Sequence, residues 1–576
     1  MDFLISNALV FDGSGAAPRP DCDVAVSGGR ITAVGKNLPR ETGVETIDAE
    51  GLALMPGIID SHTHYDAQVT WDPTLDPSPS HGVTTVIMGN CGFSIAPCHP
   101  GDRDLTMRNL TQVEGMSLEA LRAGIVWDFE SFADYLDAIE RQGVVPNVAA
   151  FVGHSALRTY VMKQAAVERA ATPDELDAMC GIVTDAMAAG AIGFATSTAP
   201  QHNGAGGVPM PSRLADDTEL EELVRAMGAG GQGVFMLTKG DRTDVPYLED
   251  LAAKSGRPFV IAALLHNPTN PDGTFADLRA INEARRRGRE LWGQVSCCPL
   301  TMDFTMQSAY PLESLTAWQP AMKLAGADLN ALKALYGDME FRAAVRAELE
   351  TPAGVRLFNG EWDKIAVTQA ARPENQPLEH RTIADLASEA GADPLDWMLN
   401  FAVAENLETV FTAVLLNSDE DAVGRMITDP NASVALSDAG AHLTFFCDAG
   451  FGLHLIGHWA RRLQVLTLEQ AVHELTAKPA DIFGIPDRGR IGPGQWADLM
   501  LFDANTVGRG AKRRQFDLPA GAPRLVTDAV GVVGVWINGE RVVDANGAID
   551  RAIDGTIDGT IDGTGRPGHV LREFNA

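Results

Sequence analysis

Met55-Pro56-Gly57-Ile58-Ile59-Asp60-Ser61-His62-Thr63-His64-Tyr65-Asp66 is an apolar run that ends on two imidazoles two residues apart. With Leu52 and Leu54 ahead of it, the run reads as one buried strand. Residues i and i+2 of a strand share a face, so His62 and His64 can grip one metal ion. A bare His-x-His also suits a surface loop. The strand leading in, the Pro-Gly before it and the acid at Asp66 favour the metal site.

Gly82-Val83-Thr84-Thr85-Val86-Ile87-Met88 is a β-branched strand that runs into Gly89-Asn90-Cys91-Gly92. A cysteine delivered between glycines at a strand end keeps its sulfur accessible, whereas a core cysteine sits inside the apolar run. A thiolate is a good ligand for zinc, which makes Cys91 a candidate. A plain buried thiol is the alternative reading.

Further apolar segments near 149–152, 191–194, 233–237, 259–264, 291–295 and 433–436 alternate with helical stretches, which makes eight strands and the pattern of a parallel α/β barrel. The gap from about 300 to 430 is helical and charged, and is expected to form a lid or subdomain over the rim, where barrel enzymes keep their specificity loops. Short strands with tight turns occupy residues 1–55 and return at 497–502 and 532–543. Such strands are not stable alone. Both chain ends are therefore expected to meet in one small β-sandwich domain, 1–55 plus 485–548, with the barrel, 56–484, inserted between them. A tail, 549–576, carries Ile553-Asp554-Gly555-Thr556 three times over and reads as a turn-forming extension that packs back on the body.

The order of the segments ending in His62-Thr63-His64, GVTTVIMGNCG at 82–92, GAIGFATST at 190–198 and SDAGAH at 437–442 resembles the amidohydrolase superfamily, and within it the N-acyl-D-amino-acid deacylases, over nearly the whole length. The resemblance implies a (β/α)8 TIM barrel, of class α/β, whose C-terminal rim holds one or two zinc ions. It also implies hydrolysis of an N-acylated amino acid of D configuration or a related N-acyl compound. In that family the acid at the position of Asp438 takes a proton from water and returns it to the leaving nitrogen; by residue type alone Asp438 is equally a turn or N-cap aspartate.

The chain departs from the family at the fifth strand, which ends Thr238-Lys239-Gly240 with no histidine. His266, after the sixth strand, stands one or two residues past the usual ligand position. Two resolutions are open. Lys239 is carboxylated and bridges two ions, or a single ion is held by His62, His64, Cys91 and Asp438 and Lys239 binds a substrate carboxylate. His154, closing the third strand, is a candidate to orient substrate or an oxyanion, and Arg158 to hold a carboxylate bidentately; a structural role is the alternative for each. His442, four residues past Asp438, is a candidate to support that acid and the substrate. His454 and His458 read as packed residues. Other functional readings are a cyclic-amide hydrolase of the hydantoinase or dihydroorotase kind, which would use the carboxylated lysine, and a degenerate barrel that binds a ligand or partner without turnover.

The 576 residues leave room for one barrel with insertions and an accessory domain. A net charge of −32 repels polyanions and argues against nucleic acid as a partner. There is no run of about 20 apolar residues, and the acid at Asp2 does not suit a signal peptide. Seven cysteines without a regular framework suit a reducing compartment. These features lead to the expectation of a cytoplasmic homo-oligomer acting on a small molecule, without membrane partners.

Overall fold

The computed structural model describes residues 1–113, 115–325, 328–351, 356–441, 448–544, 549 and 565–576. Eight parallel strands form the barrel: β1 (Ile58–Asp60), β2 (Val83–Met88), β3 (Asn147–Gly153), β4 (Gly193–Ser197), β5 (Val234–Thr238), β6 (Phe259–Leu264), β7 (Leu291–Val295) and β8 (Ala432–Val434). Each pairs with the next, and the ring closes where Thr63 bridges Ala439 and His64 N–H donates to the Ala439 carbonyl at 2.7 Å. Residues β2 to β5 are buried throughout, as strands covered on both faces must be, so their sequences read as unbroken apolar runs. The helices that cover them start at side-chain caps: Thr172 with Glu175 for Pro173–Ala189, Asp216 for Asp217–Gly228 and Asp244 for Val245–Ser255.

Strands from both chain ends share one eight-stranded sheet. Phe3–Val10, Arg19–Ser27, Arg30–Gly35, Glu45–Asp48 and Ala53–Pro56 join Leu499–Phe502, Val532–Ile537 and Glu540–Val543. Ile5, Val24, Ile31, Leu54, Leu499 and Trp536 form its core. The apolar run read as one strand is in fact two, in two sheets, divided at Gly57. A Cβ at Gly57 would lie 2.1 Å from Thr84 Oγ1, so only glycine lets the chain pass from the β-domain into the barrel here.

The insertion after β7 has its own antiparallel sheet, Leu300–Phe304, Ile365–Gln369 and Val410–Leu416, and its own aromatic core of Trp318, Tyr336, Phe341, Phe358 and Phe411. Asn417 pins it to the rim. Its N–H donates to His266 O at 2.9 Å, its Oδ1 accepts from His266 N–H at 2.7 Å, and its Nδ2 donates to Ser296 O and Cys298 O at 3.0 and 3.2 Å.

One feature was not anticipated: Gly508–Gln515 pairs with Arg524–Val530 in a separate hairpin. The end of the tail packs back on the body, running beneath the barrel with His569 O accepting from Val148 N–H and Ala576 O from Gly233 N–H. The Ile-Asp-Gly-Thr repeats lie outside the described residues. Among the described residues no helix is long and apolar enough to cross a membrane.

Candidate metal centre

His62, His64 and Cys91 converge at the C-terminal ends of β1 and β2. Their ligand atoms all lie within 4.8 Å of one another, and among the described residues they are the one such group of three histidine, cysteine or acidic side chains. Cys91 Sγ is 3.6 Å from His62 Nε2 and 4.0 Å from His64 Nε2. All three side chains are buried.

The turn after β2 sets the sulfur. Cys91 adopts a left-handed conformation, φ 58°, between Gly89 and Gly92, while Gly89 N–H donates to Asp66 Oδ2 at 2.8 Å. The alternative of a core thiol inside the apolar run does not apply, because Cys91 lies past the strand end against two imidazoles. Burial disfavours its thiolate, but the His62 charge and hydrogen bonds from His62 and His64 outweigh that and bring the thiol down to about 7.

Gln294, near the end of β7, is a site residue that sequence reading missed. Its Oε1 lies 2.8 Å from His62 Nδ1. An amide oxygen only accepts, so Nδ1 carries a proton and Nε2 is the nitrogen left to bind a metal. A buried glutamine ending an apolar strand was the available signal.

Asp438 enters from the far side of the barrel seam. Its Oδ1 is 3.3 Å from His62 Nε2 and 3.6 Å from His64 Nε2. The backbone around it is tightly turned, with Leu436 and Asp438 both at positive φ. Gly440 permits the approach to β1: a Cβ there would sit 2.7 Å from His64 C and O. Two imidazoles and a thiolate with a carboxylate alongside suit zinc, which takes nitrogen and sulfur ligands in a four-coordinate shell.

Other residues expected at the site are engaged elsewhere. Lys239 Nζ donates to both oxygens of Asp277, at 2.8 and 2.7 Å. A carbamate on that nitrogen would face a carboxylate, so the bridging-lysine arrangement does not fit this geometry. Thr238 instead reaches inward, its Oγ1 3.0 Å from Cys91 Sγ. His266 does not join the cluster; its backbone is locked to Asn417 and its ring packs on Phe275.

His154 and Arg158 likewise do not face a substrate. His154 Nε2 is 2.8 Å from Glu219 Oε1, and Arg158 Nη1 donates to both Glu219 oxygens at 2.5 Å. All three are buried. Burial opposes ionisation of Glu219, yet His154 and Arg158 hold it down to about 2. The pattern at 154–158 was read as a rim motif because its partner acid lies 61 residues away on the helix after β4. His442 lies outside the described residues. His454 and His458 stack at 4.6 Å, and His458 Nε2 is 2.8 Å from Glu420, as packed residues.

A cavity of about 460 Å³ lies at the opposite end of the barrel, lined by Arg30, Glu140, Trp496, His569 and Arg572. It contains none of the metal-site residues.

A model of a family described as "Amidohydrolase family" matches residues 45–543. The chain is 29% identical over 553 residues to the N-acyl-D-glutamate deacylase of Alcaligenes xylosoxydans xylosoxydans, covering 94% of this chain and 93% of that one. A crystal structure of N-acyl-D-glutamate deacylase from Bordetella bronchiseptica, complexed with zinc and a phosphonate inhibitor that mimics the tetrahedral intermediate, superposes with a TM-score of 0.65 at 27% identity over 100% of both chains. A D-aminoacylase structure described by its binuclear metal centre, with one-metal activation and second-metal attenuation, gives 0.65 at 26% identity over 99% of this chain and 100% of that one.

Proposed function

Because the chain belongs to the amidohydrolase family, we propose that His62, His64 and Cys91 hold the zinc with which it hydrolyses the linear amide of an N-acyl amino acid of D configuration, with Asp438 moving the proton. One observation carries the reading: the Asp438 carboxylate reaches the same two Nε2 atoms that face the Cys91 sulfur. Zinc bound there supplies Lewis acidity, activating water and polarising the amide carbonyl.

The protein's own groups do the rest. Gln294 fixes the His62 tautomer. Asp438 accepts a proton from the attacking water and delivers it to the departing nitrogen, so one carboxylate serves as base and then as acid. One ion matches the three converging ligands, and the ion pair of Lys239 with Asp277 speaks against the cyclic-amide alternative.

The working division is a β-domain of 1–55 plus 485–548, a barrel of 56–484 and a tail of 549–576. The six described cysteines are all free thiols, which supports a cytoplasmic location. A homo-oligomer is the expected assembly, and sedimentation of the purified protein checks it.

Turnover of N-acetyl-D-amino acids that disappears on chelation and returns with zinc tests the reading. A protein that holds stoichiometric zinc yet cleaves no N-acyl amino acid overturns the substrate.

A further inference from the structure

Arg213 is a half-buried guanidinium on the rim that meets no carboxylate among the described residues. Its hydrogen-bond partners are neutral: Nη1 donates to His202 O at 3.1 Å and to Asn203 Oδ1. Burial alone pulls its pKa down; no acid opposes that. The chain carries 77 acidic residues against 45 basic ones, so a carboxylate partner is easily found. Arg158, Arg488, Arg509 and Arg524 each have one. Arg257 and Arg285 also lack one, but they sit by the N-terminal ends of β5 and β7, bonded to Gly231 and Gly233 carbonyls or laid over Trp292.

The segment 199–214, which carries Arg213, folds back on the end of β4 at the rim. Ser212 Oγ donates to Ser197 O at 2.9 Å, and His202 Nδ1 lies 2.7 Å from Ser197 Oγ. The His202 ring meets Phe93 edge to face at 5.0 Å, and Phe93 lies 6.1 Å from the ring of His64. A wall of two rings therefore connects the residue that anchors Arg213 with a ligand of the proposed ion. A partly desolvated cation is costly unless an anion meets it. The two cations first expected to bind a carboxylate, Lys239 and Arg158, are both neutralised by neighbouring acids.

We infer that Arg213 receives a carboxylate of the substrate, anchoring it at the β4 side of the rim while the scissile amide meets His62, His64 and Cys91. The inference rests on the reading of the protein as an N-acyl amino acid hydrolase and specifies its anion subsite. The planar guanidinium matches a carboxylate with two parallel hydrogen bonds.

The test uses the full-length, zinc-loaded protein, with N-acetyl-D-alanine and its carboxamide as probes, and reads calorimetric binding separately from turnover. R213Q keeps a donor for His202 O and removes the charge. Its Kd and KM for N-acetyl-D-alanine should rise about 10²-fold, with kcat within a few-fold and carboxamide binding unchanged. R213K, which keeps charge without the fork, should fall between, and it decides the matter if R213Q does not fold. Equal affinity of wild type and variant for the acid overturns the inference, as does an equal loss for acid and carboxamide or failure of the wild type to bind the acid. A wild type that binds the acid in an Arg213-dependent way but does not cleave it overturns the proposed reaction and leaves the subsite standing.

Discussion

The hydroxyl of Thr238 lies 3.0 Å from the sulfur of Cys91, so β5 is joined to the metal centre by a hydrogen bond and not by a ligand. Where the resemblance would place a histidine, a threonine steadies the thiolate. Thr238→Val is close to isosteric and should leave the fold intact while weakening zinc about 10- to 100-fold. A competition titration with a chromophoric chelator measures this, and unchanged affinity would reduce the hydroxyl to a neighbour.

His62→Ala, His64→Ala and Cys91→Ala should each lose zinc and activity together. The residues sit at strand ends, outside the layered barrel interior, so thermal unfolding of the metal-free variants should match that of the metal-free parent within a few degrees. Elemental analysis alongside circular dichroism separates ligand loss from misfolding. Zinc retained with full turnover would remove the basis of the site.

For Asp438→Asn the expected split is between chemistry and binding. The amide keeps the size of the acid but cannot take a proton, so kcat should fall about 10²- to 10⁴-fold while zinc content stays near that of the parent. In the active protein the acidic limb of the pH profile should belong to Asp438 and the activated water as a coupled unit. Turnover within a few-fold of wild type would mean that another group moves the proton.

Glu219 should make stability depend on pH in one direction. Its folded pKa, about 2, is below the ordinary value of 4.5. Below pH 4.5 the unfolded chain therefore binds the extra proton first, and the contribution of Glu219, full above that pH, drains away as pH falls toward 2. Urea unfolding at pH 6 and pH 3 should show a drop that is smaller in Glu219→Gln. Since removing one member of a buried ionic group leaves its partners uncompensated, that variant should also be about 3 kcal/mol or more less stable at pH 6.

The barrel was legible because fully buried parallel strands announce themselves as apolar runs, and all eight fall where the alternation puts them. That His62, His64, Cys91 and Asp438 come together was legible because each ends such a run. What the chain does not display is which charge a neighbouring helix will neutralise. Arg158 and Lys239 look like rim cations until Glu219 and Asp277 are seen opposite them. The hairpin at 508–530 escaped for a different reason: Gly508-Arg509-Gly510-Ala511-Lys512-Arg513-Arg514 has no period-two apolar pattern. Its stability comes from contacts such as Arg509 with Asp448 and Arg524 with Asp76. Gln294 and Arg213 acquire meaning only from what lies across from them.

The seam at which the barrel closes is also the place where the proposed catalytic groups meet. Ser437 Oγ donates to His62 O across 375 residues of chain, and the Thr63–Ala439 bridge stands beside it. The entropic cost of bringing such distant segments together is met only after the intervening strands have found their order. In refolding, recovery of activity should therefore be a late event that reports ring closure. A fragment ending before β8 can present His62, His64 and Cys91 to a metal, but it has no base with which to use it.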